Sequence, residues 1–113
     1  MTQRGSGDIL IVSSIASLIT MPNSAMYAAS KSFVTAYGRS LAAETERFGV
    51  RVCVLCPGYV HTNLHERAGF SHLEKQVPEW MWISSDTVVQ EGIRGLRRKK
   101  VVVVPGRLVN VVV

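Results

Sequence analysis

Three short apolar runs punctuate the chain: Ile9–Val12, Val50–Cys56 and Val101–Val104. None shows the strict alternation of a half-exposed strand. Continuous runs of this length, rich in β-branched residues, predict strands covered on both faces. Between the first two, Pro22 precedes a predicted helix start, with Asn23 or Ser24 as N-cap. An Ala-rich helix is predicted from Ala25 to about Phe48, with Phe33, Tyr37 and Leu41 on one stripe and Gly49 stopping it. Pro57-Gly58 ends the second strand. Residues 59–83 read as irregular or short-helical, a long excursion of the kind that often serves function. Asp86 is expected to cap a second helix running to about Arg98, and Pro105-Gly106 ends the third strand. Strand-helix-strand-helix-strand implies right-handed parallel crossovers, hence an α/β domain over residues 1–113. Three strands and two helices leave the outer edge of the first strand unpaired and cover the sheet thinly. Poor independent stability is expected.

Composition changes little in this picture. Apolar residues make up 47% and charged residues 19% of 113, ordinary for a soluble globular domain. The net charge of +5 is concentrated in Arg94, Arg97, Arg98, Lys99 and Lys100. Cations at a helix end complement its dipole, and no aromatic residues interleave with them as nucleic-acid binding favours. The first residues, Met-Thr-Gln-Arg-Gly-Ser-Gly, contain no apolar leader core. No run approaches the roughly 20 apolar residues of a membrane span. Two cysteines without a secretory signal suggest free thiols in a reducing, cytoplasmic setting.

The candidate chemistry lies in Met26-Tyr-Ala-Ala-Ser-Lys31. Tyr27 and Lys31, four apart, share a helix face. An ammonium beside a phenol favours phenolate and is expected to draw the Tyr pKa down from roughly 10. That pair is a proton-transfer device. Thirteen positions before Tyr27, Ser14 closes the segment Ile9-Leu-Ile-Val-Ser-Ser14, at the carboxyl end of a strand, where open α/β sheets bind ligands. A second constellation, Cys53-x₂-Cys56-x₄-His61-x₃-His65, invites a zinc reading. Two cysteines three apart in a strand point to opposite faces, however, so no metal site is expected.

Ser14, Tyr27 and Lys31, followed by Cys56-Pro-Gly-Tyr-Val-His-Thr62, resemble the short-chain dehydrogenase/reductase family. The resemblance spans roughly residues 5 to 106 and corresponds to the C-terminal half of a family member. It implies a partial Rossmann-like parallel sheet and hydride transfer between NAD or NADP and an alcohol/carbonyl pair. By resemblance Tyr27 is general acid/base, and Lys31 also hydrogen-bonds the nicotinamide ribose. Ser14 holds the substrate oxygen, with Ser13 as rival for that role. Pro57, Gly58, Val60 and Thr62 match the loop that holds the nicotinamide carboxamide. Phe70, Trp80, Met81 and Trp82 fall in the family's substrate lid, which suggests an apolar substrate or simply lid packing. The long helix commonly builds the family's oligomer interfaces, so a homo-oligomer through residues 25–48 is implied.

The glycine-rich strand-turn-helix that cradles the cofactor pyrophosphate in this family, its Asn-Asn-Ala-Gly segment and its catalytic Asn find no match here. Gly5-Ser-Gly7 precedes a strand instead of following one. The sequence therefore reads as a truncated chain or one with a misplaced start, inactive by itself. The alternatives are a catalytically dead fragment serving as an interaction module, and a small basic or zinc-binding nucleic-acid module.

Overall fold

The computed structural model describes residues 1–60, 82–98 and 101–104. In chain order these form β1 (Gly7–Val12), a 3₁₀ turn (Ile15–Ser17), α1 (Ala25–Thr45), a second 3₁₀ turn (Glu46–Phe48) and β2 (Val50–Pro57). Then come β3 (Tyr59–Val60), β4 (Trp82–Ile83), α2 (Ser85–Arg98) and β5 (Val101–Val104). β1, β2 and β5 make one parallel sheet in that order. β1 pairs with β2 from Gly7–Val50 to Val12–Leu55, and β2 with β5 from Val54–Val101 to Pro57–Val104. The α/β architecture read from the apolar runs is thus observed.

The two helices lie on opposite faces, and strand alternation sorts the core between them. Ile9, Ile11, Val50 and Val52 pack with Leu41 and Ala42 of α1. Leu10, Leu55, Val102 and Val104 pack with Ile83 and Val88 on the α2 face. Central β2 holds the most deeply buried side chains, Cys53, Val54, Leu55 and Cys56. β1 is thinly covered. Val12 is 56% exposed, and among the described strands β1 pairs only with β2.

The helices approach the sheet closely because small residues face it. Gly38 of α1 lies against Val54 and Ile11, and Gly95 of α2 against Val102 and Cys53, with no room for a Cβ at either. Gly38→Val is therefore expected to destabilise the fold by about 2 kcal/mol, the scale of overpacking. The exposed Ala36→Val on the same helix is the control, and thermal unfolding of the two is the measurement. Equal melting temperatures would contradict the close packing.

Several local expectations change. Asp86 does not cap α2. Ser84 does, since its hydroxyl accepts the Thr87 amide at 3.2 Å, and Asp86 sits within the first turn. A cap oxygen must reach the third helical amide, which Asp86 is too far along the chain to do. Ser24 is the N-cap of α1 but forms no side-chain capping bond, and Asn23 before it has φ 65°. α1 ends at Thr45, and the chain tightens into the second 3₁₀ turn before Gly49, at φ 73°, closes it. The ends of the 59–83 excursion are not irregular: Tyr59–Val60 and Trp82–Ile83 pair as short parallel strands that close its base. Phe70, Trp80, Met81, Pro105-Gly106 and Val111–Val113 lie outside the described residues.

Phe33 and Tyr37 are 72% and 55% exposed, so the large stripe of α1 faces away from the sheet. At the amino end of the strands, Arg51 donates to both carboxylate oxygens of Asp8, at 2.6 and 2.8 Å, across the β1–β2 register. The guanidinium holds the Asp8 carboxyl below its ordinary range. Both groups are about half exposed, so the pair fixes register more than it adds stability.

Candidate active site

The carboxyl end of the sheet gathers most of the described candidates. β1 runs into Ser13, whose amide donates to Leu55 O at 2.7 Å and extends the ladder by one bond. The two serines then diverge. Ser13, 3% exposed, turns its hydroxyl under α1, within 2.6 Å of Thr35 Oγ1 and 3.0 Å of the Lys31 carbonyl oxygen. Ser14 is the N-cap of the 3₁₀ turn, and its Oγ accepts the Ala16 amide at 3.1 Å. An N-cap oxygen engaged as acceptor still has a proton to give. Among the described residues it donates to none.

Tyr27 and Lys31 occupy the first two turns of α1, half-buried, with Lys31 Nζ 5.8 Å from the Tyr27 ring centroid. The 2.6 Å contact between the Ser13 and Thr35 hydroxyls pins this part of the helix to the end of β1. The face of α1 turned to the sheet runs Tyr27, Lys31, Thr35, Gly38, Ala42 in steps of three and four. The outer end carries the Tyr27–Lys31 pair, the middle a buried hydroxyl, and the far end only small residues.

Pro57 is buried as the last residue of β2, and the Gly58 amide donates to Val104 O at 2.9 Å. Val60 lies in β3 opposite Ile83. Thr62 is outside the described residues, as are His61 and His65. Cys53 and Cys56 are both buried but on opposite faces of β2. Cys53 sulfur faces Gly95 of α2, whereas Cys56 sulfur lies 3.9 Å from Ser17 and Thr35 on the α1 side. The two thiols cannot share one metal ion. Burial pushes the Cys53 thiol pKa up, with Cys56 as the lesser cause. No group of three or more metal-ligating side chains occurs among the described residues.

Sequence reasoning missed Thr35 and Ser17, which join Ser13 beneath the site. The available signal was spacing: Thr35 stands four residues after Lys31, and a polar side chain on a sheet-facing stripe requires a partner.

The short chain dehydrogenase family model matches residues 1–70. The chain is 47% identical over 64 residues to dehydrogenase/reductase SDR family member 7B of Danio rerio, covering 57% of this chain and 21% of that protein. It is 37% identical over 78 residues to the human 3-oxoacyl-[acyl-carrier-protein] reductase, covering 69% and 33%. Among solved structures, a gluconate 5-dehydrogenase from Burkholderia cenocepacia in complex with NADP and tartrate superposes with TM-score 0.75 at 29% identity. That match covers 98% of this chain and 48% of the other. A short-chain dehydrogenase from Sphingobium yanoikuyae in complex with NADPH gives TM-score 0.78 at 26% identity, covering 90% and 39%. The chain thus spans a third or less of these curated relatives and under half of these solved structures. A parallel sheet with a helix on each face, a Ser-capped turn after its first strand and a Tyr-x-x-x-Lys helix start agree with that match, and the chain belongs to the short chain dehydrogenase family.

Proposed function

We propose that this segment is the catalytic C-terminal half of an NAD(P)-dependent oxidoreductase acting on an alcohol/carbonyl pair. The observation that carries the reading is the placement of Lys31 Nζ 5.8 Å from the Tyr27 ring on a helix tied to the Ser13-Ser14 strand end. Tyr27 moves the proton: its hydroxyl gives a proton to the substrate oxygen in reduction and takes it back in oxidation. Lys31 places positive charge where the phenol becomes negative. Ser14 directs its free O–H at the substrate oxygen, holding it for Tyr27 and stabilising charge that develops there.

Bound nicotinamide would supply or accept the hydride. The described residues suit its nicotinamide-ribose end: Lys31 would offer donors there, and Pro57, Gly58 and Val60 would form the adjoining rim, while the further candidate Thr62 lies outside the described residues. They do not suit the pyrophosphate. The glycines with positive φ, Gly5 and Gly49, precede β1 and β2 at the amino end of the sheet, far from the cofactor side. Relatives of this fold are seen with NADP and NADPH, and a choice between NAD and NADP is left to the test. The complete domain in this reading is a doubly wound sheet, of which residues 1–113 form one half. The outward stripe of Met26, Phe33 and Tyr37 supports self-association through α1. Among the described residues no helix is long and apolar enough to cross a membrane.

The test is a screen of ketones and aldehydes with NADH and NADPH, following loss of the reduced nicotinamide signal. The protein is the full-length version, with a relative's N-terminal half joined ahead of residue 1 if the natural gene encodes none. Turnover is expected with at least one cofactor. A folded, cofactor-binding protein inert to every carbonyl class would overturn the proposal.

A further inference from the structure

Beneath the site lies a chain of buried and half-buried hydroxyls whose protons do not add up. Ser13 Oγ is 3.0 Å from the Lys31 carbonyl oxygen and 2.6 Å from Thr35 Oγ1. Thr35 Oγ1 is 2.9 Å from Ser17 Oγ, which is 2.8 Å from the Ser14 carbonyl oxygen. Each hydroxyl has one proton to give. Carbonyls, which can only accept, close both ends, so three protons serve four contacts. Cys56 sulfur, 3.9 Å from both Thr35 and Ser17, is the only neighbouring side chain among the described residues that adds a donor, and a weak one.

The distances decide where the shortfall falls. At 2.6 Å the Ser13–Thr35 contact must hold a proton. The longest contact is the one to the Lys31 carbonyl, and that oxygen already has the helix ladder to serve it. The favoured order therefore runs from Ser13 to Thr35 to Ser17 to the Ser14 carbonyl. Thr35, 5% exposed, is the hub. It is the only side chain in the chain that belongs to α1, the helix carrying Tyr27 and Lys31. Ser13 belongs to the end of β1, and Ser17 to the turn that Ser14 caps.

Resting on the functional reading above, we infer that Thr35 is a positioning residue that locks the Ser14 turn to the Tyr27–Lys31 helix and so fixes the Ser14 hydroxyl relative to the phenol. It touches neither substrate nor cofactor. Removing its hydroxyl has an unusual consequence. Ser13 can then donate to the Lys31 carbonyl and Ser17 to the Ser14 carbonyl, so each remaining hydroxyl keeps a partner and no buried carbonyl is orphaned. Stability survives and the hydroxyl linkage between the two elements is cut, leaving the longer 3.3 Å contact of Ser32 Oγ with the Ser17 carbonyl oxygen, made by a hydroxyl that already serves the Ala28 carbonyl at 2.8 Å.

The experiment compares Thr35→Val, which keeps the shape, with Thr35→Ser, which keeps the hydroxyl, in the full-length protein. Thr35→Val is expected to melt close to the parent while kcat falls about tenfold to a hundredfold, the scale of a small misplacement of reacting groups. KM for the cofactor should hold, and amide exchange at Ala16–Leu18 should quicken as the turn opens locally. Thr35→Ser should restore both readouts. Should Thr35→Val fail to fold, Ser17→Ala cuts the same linkage and carries the test. Parental kcat, unchanged exchange at Ala16–Leu18, or a loss that Thr35→Ser does not restore would each overturn the inference. Ser14→Ala and Tyr27→Phe run alongside. If both of those retain turnover, the catalytic reading itself fails, whereas their inactivity with an unaffected Thr35→Val removes only the role of Thr35.

Discussion

Tyr27→Phe in the full-length protein is expected to lower turnover by about a hundredfold to ten-thousandfold, the range of a lost general acid/base, while cofactor still binds. The substitution keeps the ring at the start of α1 and removes the hydroxyl that carries the transferable proton. A deletion of that kind should depress kcat and kcat/KM together, because the missing interaction exists only in the transition state. Steady-state kinetics read the rate, and a fluorescence titration of reduced cofactor reads the affinity. Lys31→Ala should differ by weakening affinity as well as rate, since it removes both the charge beside the phenol and the donors proposed for the ribose. Turnover of the Phe variant within tenfold of the parent would remove Tyr27 from the mechanism.

The 113-residue polypeptide expressed by itself is expected to self-associate and to show no saturable binding of NADH or NADPH. β1 exposes one backbone edge among the described strands, with Val12 56% exposed beside it. On the α2 side, Val89 and Ile93 are 53% and 52% exposed. An apolar strand with an open edge recruits other strands. Burying little on that side also offsets poorly the ordering cost of roughly 1–2 kcal/mol per residue. Cofactor binding fails for a separate reason. In the proposed reading Lys31 and the β2 rim would hold one end of a dinucleotide, and most of the energy that positions it would come from the pyrophosphate end. Joining a relative's N-terminal half ahead of residue 1 should restore both solubility and binding. Sedimentation and nicotinamide fluorescence on the two proteins measure this. A monomeric short polypeptide with one cooperative unfolding transition would show that this half folds alone. Saturable binding by it would instead favour a self-sufficient site. A soluble, cofactor-free oligomer assembled through the outward stripe of α1 would favour the interaction-module reading.

Much of this was legible locally. The three apolar runs became the three strands of one parallel sheet, because unbroken β-branched runs suit a buried parallel strand and little else of that length. Gly49 ended the first helical stretch as expected, since its left-handed conformation costs a residue without Cβ nothing. Tyr27 and Lys31 could be paired from spacing alone, because helix geometry fixes which residues are neighbours. The alternation along a strand likewise puts Cys53 and Cys56 on opposite faces from their spacing alone.

What the sequence left open depended on contacts between distant segments. Nothing local says that Phe33 and Tyr37 face outward while Gly38 and Ala42 face the sheet; both stripes repeat every three or four residues, and the close approach of α1 to Val54 decides between them. Ser13 and Ser14 are adjacent and chemically identical. The direction of β1 turns the first beneath α1 and leaves the second on the turn, and that direction is set by pairing with Val50–Pro57, some forty positions away. Thr35 carries no signature of its own in the sequence. Its role arises because the fold brings Ser13, Ser17 and Cys56 within reach of one hydroxyl, and a buried polar group takes its meaning from the partners that tertiary structure supplies.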